Sequence, residues 1–302
     1  MATLIEGRVV KGLGGLYEIR TDRGDVYSCR AKGVLKRDEN RVVVGDRVTL
    51  RVGDSDGDLV IAEILPRKNS LIRPLMANLD LAVVLAAACQ PTPIPLTVDK
   101  MTAILTHNGI KTAVCVTKAD LAPEAAETFA NIYRKAGFPT FVVSSVTGEG
   151  VGEFRAFMEK SLAGGRTAAF AGASGIGKST LMNALFPTLC LQTGNVSERI
   201  GRGKHTTRAV ELFPAFGGFL ADTPGFSMLD FTRFDFMTLD ELPLAFPEFA
   251  DCLGHCRYTD CTHTKEEDCA VVKAVRRGDI PESRHKSFLS VYEDLKNKDP
   301  YA

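Results

Sequence analysis

The chain has 302 residues, of which 45% are hydrophobic and 25% charged, with 37 basic side chains balanced by 37 acidic ones. Such a length predicts two or three domains, and the apolar content excludes a disordered chain. Zero net charge excludes a whole-molecule basic field as the means of holding nucleic acid and leaves only local patches.

The first residues, Met-Ala-Thr-Leu-Ile-Glu, lack the basic start and apolar core of a secretory signal. The longest apolar run, 79–89, is interrupted by Asp80 and is about half as long as a membrane helix needs; it reads as a buried strand. Four of the eight cysteines (Cys29, Cys89, Cys115, Cys190) are isolated, whereas Cys252, Cys256, Cys261 and Cys269 cluster. That distribution predicts a reducing cytoplasm with one metal site rather than a disulfide framework, and the shortness of the longest apolar run predicts no membrane partner.

Residues 1–67 carry five short β-type runs, at 7–10, 16–19, 26–29, 47–50 and 59–62, divided by Gly/Asp turns. Their number and spacing predict an OB-fold β-barrel, with an SH3-like barrel as the alternative. From 68 to 230 the pattern changes to buried strands (79–87, 113–117, 140–144, 168–171, 218–221) alternating with helices (98–108, 123–136, 151–162, 178–186). Alternation of this kind predicts a mainly parallel sheet with flanking helices. Residues 231–302 read as a polar helical domain built around the cysteine cluster. The expected organisation is therefore α/β and β in three domains: 1–67, 68–230 and 231–302.

Gly172-Ala173-Ser174-Gly175-Ile176-Gly177-Lys178-Ser179, followed by Thr180, fits the phosphate-loop pattern in full. An apolar strand enters it and a helix leaves it, so its backbone N–H groups and the helix N-terminus face an anion. Lys178 is expected on the β- and γ-phosphates and Ser179 on Mg²⁺. Thr117-Lys118-Ala119-Asp120 supplies base choice. A carboxylate at Asp120 accepts from the N1–H and N2–H₂ edge of guanine, which adenine does not offer, and this opposes an ATPase or small-molecule kinase. Thr117 stands where Asn is usual, which bears on affinity more than on specificity. Ser144 and Ser145 follow another strand, at the place of a loop supporting guanine through backbone N–H groups. The base-reading motif precedes the phosphate loop, the reverse of an ordinary GTPase, so the parts predict a circularly permuted P-loop GTPase domain.

Asp222-Thr223-Pro224-Gly225 after an apolar strand matches the motif in which Asp222 holds Mg²⁺ through water and Gly225 N–H senses the γ-phosphate. Between the two lies Gly201-Arg202-Gly203-Lys204-His205-Thr206-Thr207-Arg208. Thr207 is the expected Mg²⁺ ligand there, with Thr206 as the alternative. Phe226 occupies the position where many GTPases orient water with Gln. His205, beside the expected metal ligand, is the candidate catalytic residue, because an imidazole can hydrogen-bond a water and titrates near neutrality.

Cys256-x₄-Cys261-x-His263-x₅-Cys269 offers three thiols and an imidazole, a closed tetrahedral set for one structural Zn²⁺. Cys252 and His255 stand outside it. In a tail of about seventy residues the ion would contribute folding free energy directly. Lys273, Arg276 and Arg277 share a helical face, but ten basic against fourteen acidic residues from 231 onward argue against strong independent RNA binding.

A β-barrel, a G domain with Thr-Lys-Ala-Asp ahead of the phosphate loop, Gly203-Lys204-His205-Thr206-Thr207 and the Cys-x₄-Cys-x-His-x₅-Cys set together resemble the RsgA (YjeQ/YloQ) family of bacterial small-ribosomal-subunit biogenesis GTPases. The resemblance covers essentially the whole chain. It implies GTP/GDP, Mg²⁺ and Zn²⁺ as ligands, and the small ribosomal subunit and its rRNA as partners, in company with other assembly factors. It also implies subunit-stimulated GTP hydrolysis late in maturation, by a monomer in the cytoplasm. Carried over by motif position, His205 is the catalytic residue and Thr207 the switch threonine. Because the permuted domain is cut after Gly225, the sequence further suggests that 226–236 pass γ-phosphate binding to the angle of the zinc domain. The competing expectation is an RNA-binding adaptor whose nucleotide is mainly structural.

Overall fold

The computed structural model describes residues 4–32, 35, 41–52, 59–186, 210–222, 231 and 234–298. Five strands come first: β1 (Ile5–Leu13), β2 (Leu16–Arg20), β3 (Val26–Ala31), β4 (Arg47–Val52) and β5 (Leu59–Ile64). They pair in the order β1-β2-β3-β5-β4, and β4 returns to β1 to close the barrel. The β3–β5 pair is parallel and the others antiparallel. This five-stranded closure is of the OB type. Alternate residues point inward as a half-buried strand requires, and Val9, Ile19, Val48, Leu50 and Ile61 are each 0% exposed.

A short hairpin, β6 (Ser70–Leu71) and β7 (Met76–Ala77), follows the barrel. Gly45 approaches it with φ +93°, and a Cβ there would lie 2.0 Å from the Ala77 carbonyl oxygen, so only glycine fits. The next residue, Asp46, is fully buried and accepts from Val43 N at 2.8 Å and from Arg67 Nε at 2.7 Å. Arg67 also donates to the Arg41 carbonyl at 2.7 Å. A buried carboxylate is tolerated here because it is both paired and hydrogen-bonded.

The α/β region comprises β8 (Leu81–Ala87), α1 (Pro95–His107), β9 (Lys111–Thr117), α2 (Pro123–Lys135), β10 (Thr140–Val142), α3 (Val151–Leu162), β11 (Thr167–Ala171), α4 (Lys178–Leu185), β12 (Glu211–Ala215) and β13 (Gly218–Asp222). The tail adds α5 (Ala270–Arg277) and α6 (Glu282–Lys296). Helix α1 starts at Pro95, earlier than the periodicity suggests, because proline suits the first helical position. Strand β10 stops at Val142, short of the predicted 144. Ser144 N–H bonds the Glu149 carbonyl at 2.9 Å and turns the chain. The sequence reading passes over β12, where Pro214 breaks the strand signal.

Contacts divide the chain into two units, which it enters and leaves within β8, α3 and β11. One unit contains the barrel, β6, β7, the first three residues of β11, β12 and β13. In it β11 pairs parallel with β13, β13 antiparallel with β12, and β12 antiparallel with β1. The other contains most of β8, the parallel pair β9–β10, α1, α2, α4 and the tail helices. Its strands β8 and β9 are apolar along nearly their whole length and buried throughout except at Lys111, as expected where both faces are covered. Phe154 on α3 packs between Phe141 and Phe170, at centroid distances of 5.3 and 6.2 Å.

Candidate nucleotide site and metal centre

Strand β11 runs apolar and fully buried to Ala171 and gives way to the phosphate loop. Gly172 sits at φ +153°, where a Cβ would be 2.3 Å from Ile176 Cδ1 and 2.8 Å from the Leu85 carbonyl oxygen. Gly177, at φ +89°, is the N-cap of α4. Lys178 opens α4, and Leu181, Met182 and Leu185 bury its inner face. At the far end, Arg155 Nη1 donates to the Leu185 carbonyl at 2.9 Å, satisfying an orphan acceptor of the last turn. The loop thus enters on a buried strand and leaves on an anchored helix whose N-terminus favours phosphate.

The base-reading motif lies beside it. Strand β9 delivers Thr117, whose hydroxyl donates to the Ile176 carbonyl of the phosphate loop and lies 3.3 Å from the Ala86 carbonyl. A Cβ on Gly177 would be 3.7 Å from that same hydroxyl oxygen. Threonine in place of Asn therefore ties the two motifs together through one short side chain. Lys118 takes a left-handed conformation, φ +57°, and donates from Nζ to the Gln90 carbonyl. The chain then tightens into a 3₁₀ turn, Ala119–Leu121, with Ala119 buried and Asp120 half-buried. Ala119 N–H bonds the Val143 carbonyl at 3.2 Å, drawing the Ser144–Ser145 loop to the motif. Ser144 is fully buried and its Oγ accepts from Thr147 N at 3.1 Å, so this serine holds the loop's own turn.

Three of the predicted nucleotide motifs, 117–120, 144–145 and 172–179, are thus brought together by hydrogen bonds within one unit. Asp222 ends β13, where its backbone pairs in register with Glu211 of β12. His205, Thr206, Thr207 and Gly225 lie outside the described residues. Sequence reasoning missed Gln90, the carbonyl partner of Lys118. It sits in the Pro-rich run after β8, which reads from sequence as a stiff loop only.

The four tail ligands also meet. One donor atom from each of Cys256, Cys261, His263 and Cys269 lies within 4.8 Å of the others. Cys256 Sγ and Cys269 Sγ are each 3.5 Å from His263 Nδ1 and 3.9 Å apart. Tetrahedral bonds of about 2.3 Å to sulfur and about 2.0 Å to nitrogen imply S···S edges of about 3.8 Å and S···N edges of about 3.5 Å. The spacings fit zinc. The N-terminus of α5 supports the thiolates: Ala270 N lies 3.4 Å from Cys256 Sγ, and Val272 N 3.5 Å from Cys269 Sγ. Burial pushes the Cys261 thiol up to about 12 and raises Cys269 as well, so thiolates gathered here call for a cation. His285 Nε2 lies 2.8 Å from the His263 carbonyl and fixes that backbone. Cys252 and His255 are outside the set. Two of the three basic residues on α5 are already paired, Lys273 with Asp268 and Arg277 with Asp279, at 2.9 and 2.8 Å.

Behind the metal centre, Arg284 of α6 is 0% exposed. Its guanidinium donates to Asp99 Oδ1 and Thr102 Oγ1 of α1 at 2.7 and 2.9 Å, and bidentately to Glu248 at 2.6 and 3.1 Å. The rings of Phe246, Phe138 and Tyr133 lie 4.8, 5.5 and 5.9 Å from its Cζ. Burial pulls its pKa down, but Asp99 and Glu248 outweigh that and hold it above the ordinary value. Nothing in the local sequence around Arg284 distinguishes it from a surface arginine.

The RsgA GTPase family profile matches residues 64–232 and the RsgA N-terminal domain profile residues 6–60. The chain belongs to the RsgA GTPase family. A protein of Caldanaerobacter subterraneus subsp. tengcongensis named small ribosomal subunit biogenesis GTPase RsgA is 39% identical over 298 residues, covering 98% of this chain and 97% of its own. The protein of that name from Bacillus cereus (strain ATCC 10987 / NRS 248) is 36% identical over 299 residues, covering 98% and 99%. The crystal structure of YloQ, described as a circularly permuted GTPase, superposes with a TM-score of 0.77 at 30% identity, covering 99% of this chain and 97% of that one. YjeQ from Thermotoga maritima superposes at 0.81 and 29% identity, covering 98% and 100%. This RsgA-family chain is therefore a GTP hydrolase with a circularly permuted G domain, an OB-type barrel and a C-terminal Cys₃His cluster compatible with zinc. None of its described helices is long and apolar enough to cross a membrane.

Proposed function

We propose that this GTPase acts on the small ribosomal subunit and its rRNA late in subunit maturation, in the cytoplasm, as a monomer working beside other assembly factors, and that the subunit stimulates its GTP hydrolysis. The observation that carries the reading is the convergence of the base-reading and phosphate motifs through Thr117 and Ile176, in a chain similar over nearly its full length to relatives named for that process. The proposed domains are 1–67, 68–230 and 231–302.

Each residue then has a stated task. Asp120 accepts from the guanine edge, Lys118 lies along the base and Thr117 braces the two loops. The backbone of 144–145 meets the base from another side. Backbone N–H groups of 172–180 and Lys178 hold the phosphates. Ser179, Thr207 and Asp222 are the residues to hold Mg²⁺, which when bound neutralises developing charge on the phosphates. Gly225 senses the γ-phosphate, and His205 orients the attacking water in place of the Gln that Phe226 replaces. Cys256, Cys261, His263 and Cys269 hold one structural zinc.

The test is GTP turnover by wild type and His205→Ala, with and without small subunits, at matched folding and zinc content. Stimulation lost in the variant while GTP binding is kept supports the assignment. Stimulation that survives removes His205 from the mechanism. Absence of stimulation in both supports an RNA-binding adaptor with a mainly structural nucleotide. Turnover of ATP as fast as GTP would overturn the role of Asp120.

A further inference from the structure

Strand β1 of the barrel departs from regular pairing between Val9 and Lys11. The bulge is held from both sides: Gly45 N donates to the Val9 carbonyl at 2.8 Å and Val9 N to the Asp46 carbonyl at 2.9 Å. A bulge re-aims the residue that follows it. Here Lys11 comes into register with Glu211, the first residue of β12, and its Nζ lies 3.2 Å from Glu211 Oε1. Glu211 is in register with Asp222, the last residue of β13. Lys11, Glu211 and Asp222 therefore form one row across three strands. In the chain, the segment 201–208 precedes this row at Glu211, and Asp-Thr-Pro-Gly begins at Asp222.

A second set of contacts joins the same barrel strand to the same region. Arg8 Nη1 donates to Thr167 Oγ1, and its guanidinium lies 4.9 Å from the centroid of the Phe219 ring. Thr167 and Phe219 are themselves partners in the parallel β11–β13 pair. Thr167 N donates to Asp80 Oδ2 at 2.8 Å, and Lys68 is ion-paired with the same carboxylate. Strand β11 leads in sequence to Gly172, and β13 ends at Asp222. One barrel strand thus contacts β11, β12 and β13, the strands that border residues 172–179, 201–208 and 222–225 in sequence.

We infer that Lys11 and Arg8 are positioning residues for GTP hydrolysis, through which the barrel sets the register of the strands carrying the γ-phosphate-responsive segments. This rests on assigning those segments, 201–208 and 222–225, to the nucleotide. The coupling is reciprocal: whatever occupies the barrel biases the GTP-bound arrangement, and GTP biases the barrel. GDP lacks the γ-phosphate, so its affinity is the internal reference.

The test uses the full-length chain and measures single-turnover GTP hydrolysis together with affinities for GDP and a non-hydrolysable GTP analogue. The variants are Lys11→Glu, Glu211→Lys, the double swap, Arg8→Gln and Arg8→Lys. Each single charge reversal is expected to lower turnover and analogue affinity about threefold, as for a partly exposed ion pair, with GDP affinity unchanged. The double swap restores both. Arg8→Gln lowers them about tenfold, since it loses the cation–π contact and a charged hydrogen bond. Arg8→Lys keeps a charge and provides a reading if Arg8→Gln fails to fold. Rescue by the swap shows that the pair itself acts, and unchanged GDP affinity separates this role from a merely structural one, which would move GDP and analogue affinities together. Wild type that prefers the analogue while every folded variant matches it overturns the inference alone. Wild type that binds neither nucleotide overturns the nucleotide assignment, and the inference with it.

Discussion

Lys11 meets Glu211 with side chains 33% and 21% exposed, whereas Arg284 meets Asp99 and Glu248 with none of the three exposed beyond 2%. The barrel contact is a backbone ladder supplemented by an ion pair that water still reaches. The tail contact is a guanidinium removed from water, held by two carboxylates and bordered by three rings. A partly solvated pair shifts at little cost; a buried charge cannot lose its partner without a penalty of several kcal/mol. The barrel side is built to adjust, and the α6–α1 joint to stay as it is. The sequence suggested that the nucleotide would swing the zinc domain. A swing of α6 against α1 would have to break the Arg284 cluster.

The most severe way to break the comparison is to remove zinc. Chelation is expected to unfold the loop carrying Cys256–Cys269 and to cost on the order of 10 kcal/mol of apparent stability in that element, by analogy with small zinc sites. Metal analysis should give one zinc per chain, and α5 amides should lose exchange protection while those of β1 and β12 do not. Loss of protection in β1 would show that the two joints are not independent. Next in size is Arg284→Met, which leaves two buried carboxylates unpaired and should cost about 3–5 kcal/mol in denaturant unfolding. Arg284→Lys should recover little, because an ammonium cannot serve Glu248 bidentately while reaching α1. Replacing Arg284, Asp99 and Glu248 together with apolar residues should come back near wild-type stability. If it does not, the cluster contributes more than its charges.

On the barrel side, Gly45→Ala places a methyl against a backbone carbonyl in an unfavourable φ region and should cost at least about 2 kcal/mol of thermal stability. The smallest effect is Asp22→Asn. Asp22 bonds Arg47 at 2.7 Å, and that hydrogen bond lowers its pKa. A lowered carboxylate pKa stabilises above the unfolded value of about 3.9 and is lost as pH falls through the folded value. Because Asp22 is 76% exposed, the loss at pH 7 should be a few tenths of a kcal/mol, and wild type and variant should converge once the pH falls below the lowered folded value. A gap that persists there would refute the electrostatic account.

Much of this was legible in the amino-acid order because the chemistry is local. The phosphate loop needs glycines at fixed offsets, and Gly172 and Gly177 do adopt backbone or packing states that a side chain would disturb. The Cys₃His set falls within one short loop, so spacing alone reveals it. The barrel strands announce themselves by alternation and turn residues. What stayed hidden depends on partners distant in sequence. Strand β12 carries Pro214 and is completed by β13 and by Lys11 of the barrel. Arg284 looks like any polar helix residue until Asp99 and Glu248 close on it. Thr117 was read as a weakened Asn, and only its bond to Ile176 shows it acting as a brace.

Arg284 and Asp99 are 185 residues apart in sequence, and this separation bears on how the protein is made. At translation rates of about 5–20 residues per second, α1 waits roughly ten to forty seconds for its counter-charge. Through that interval Asp99 has to remain hydrated, so α1 cannot bury its inner face completely. Final consolidation of α1 thus depends on a residue synthesised 185 positions later. A nascent chain halted before α6 would hold an open, acid-bearing helix that a quality-control protease could distinguish from the finished enzyme.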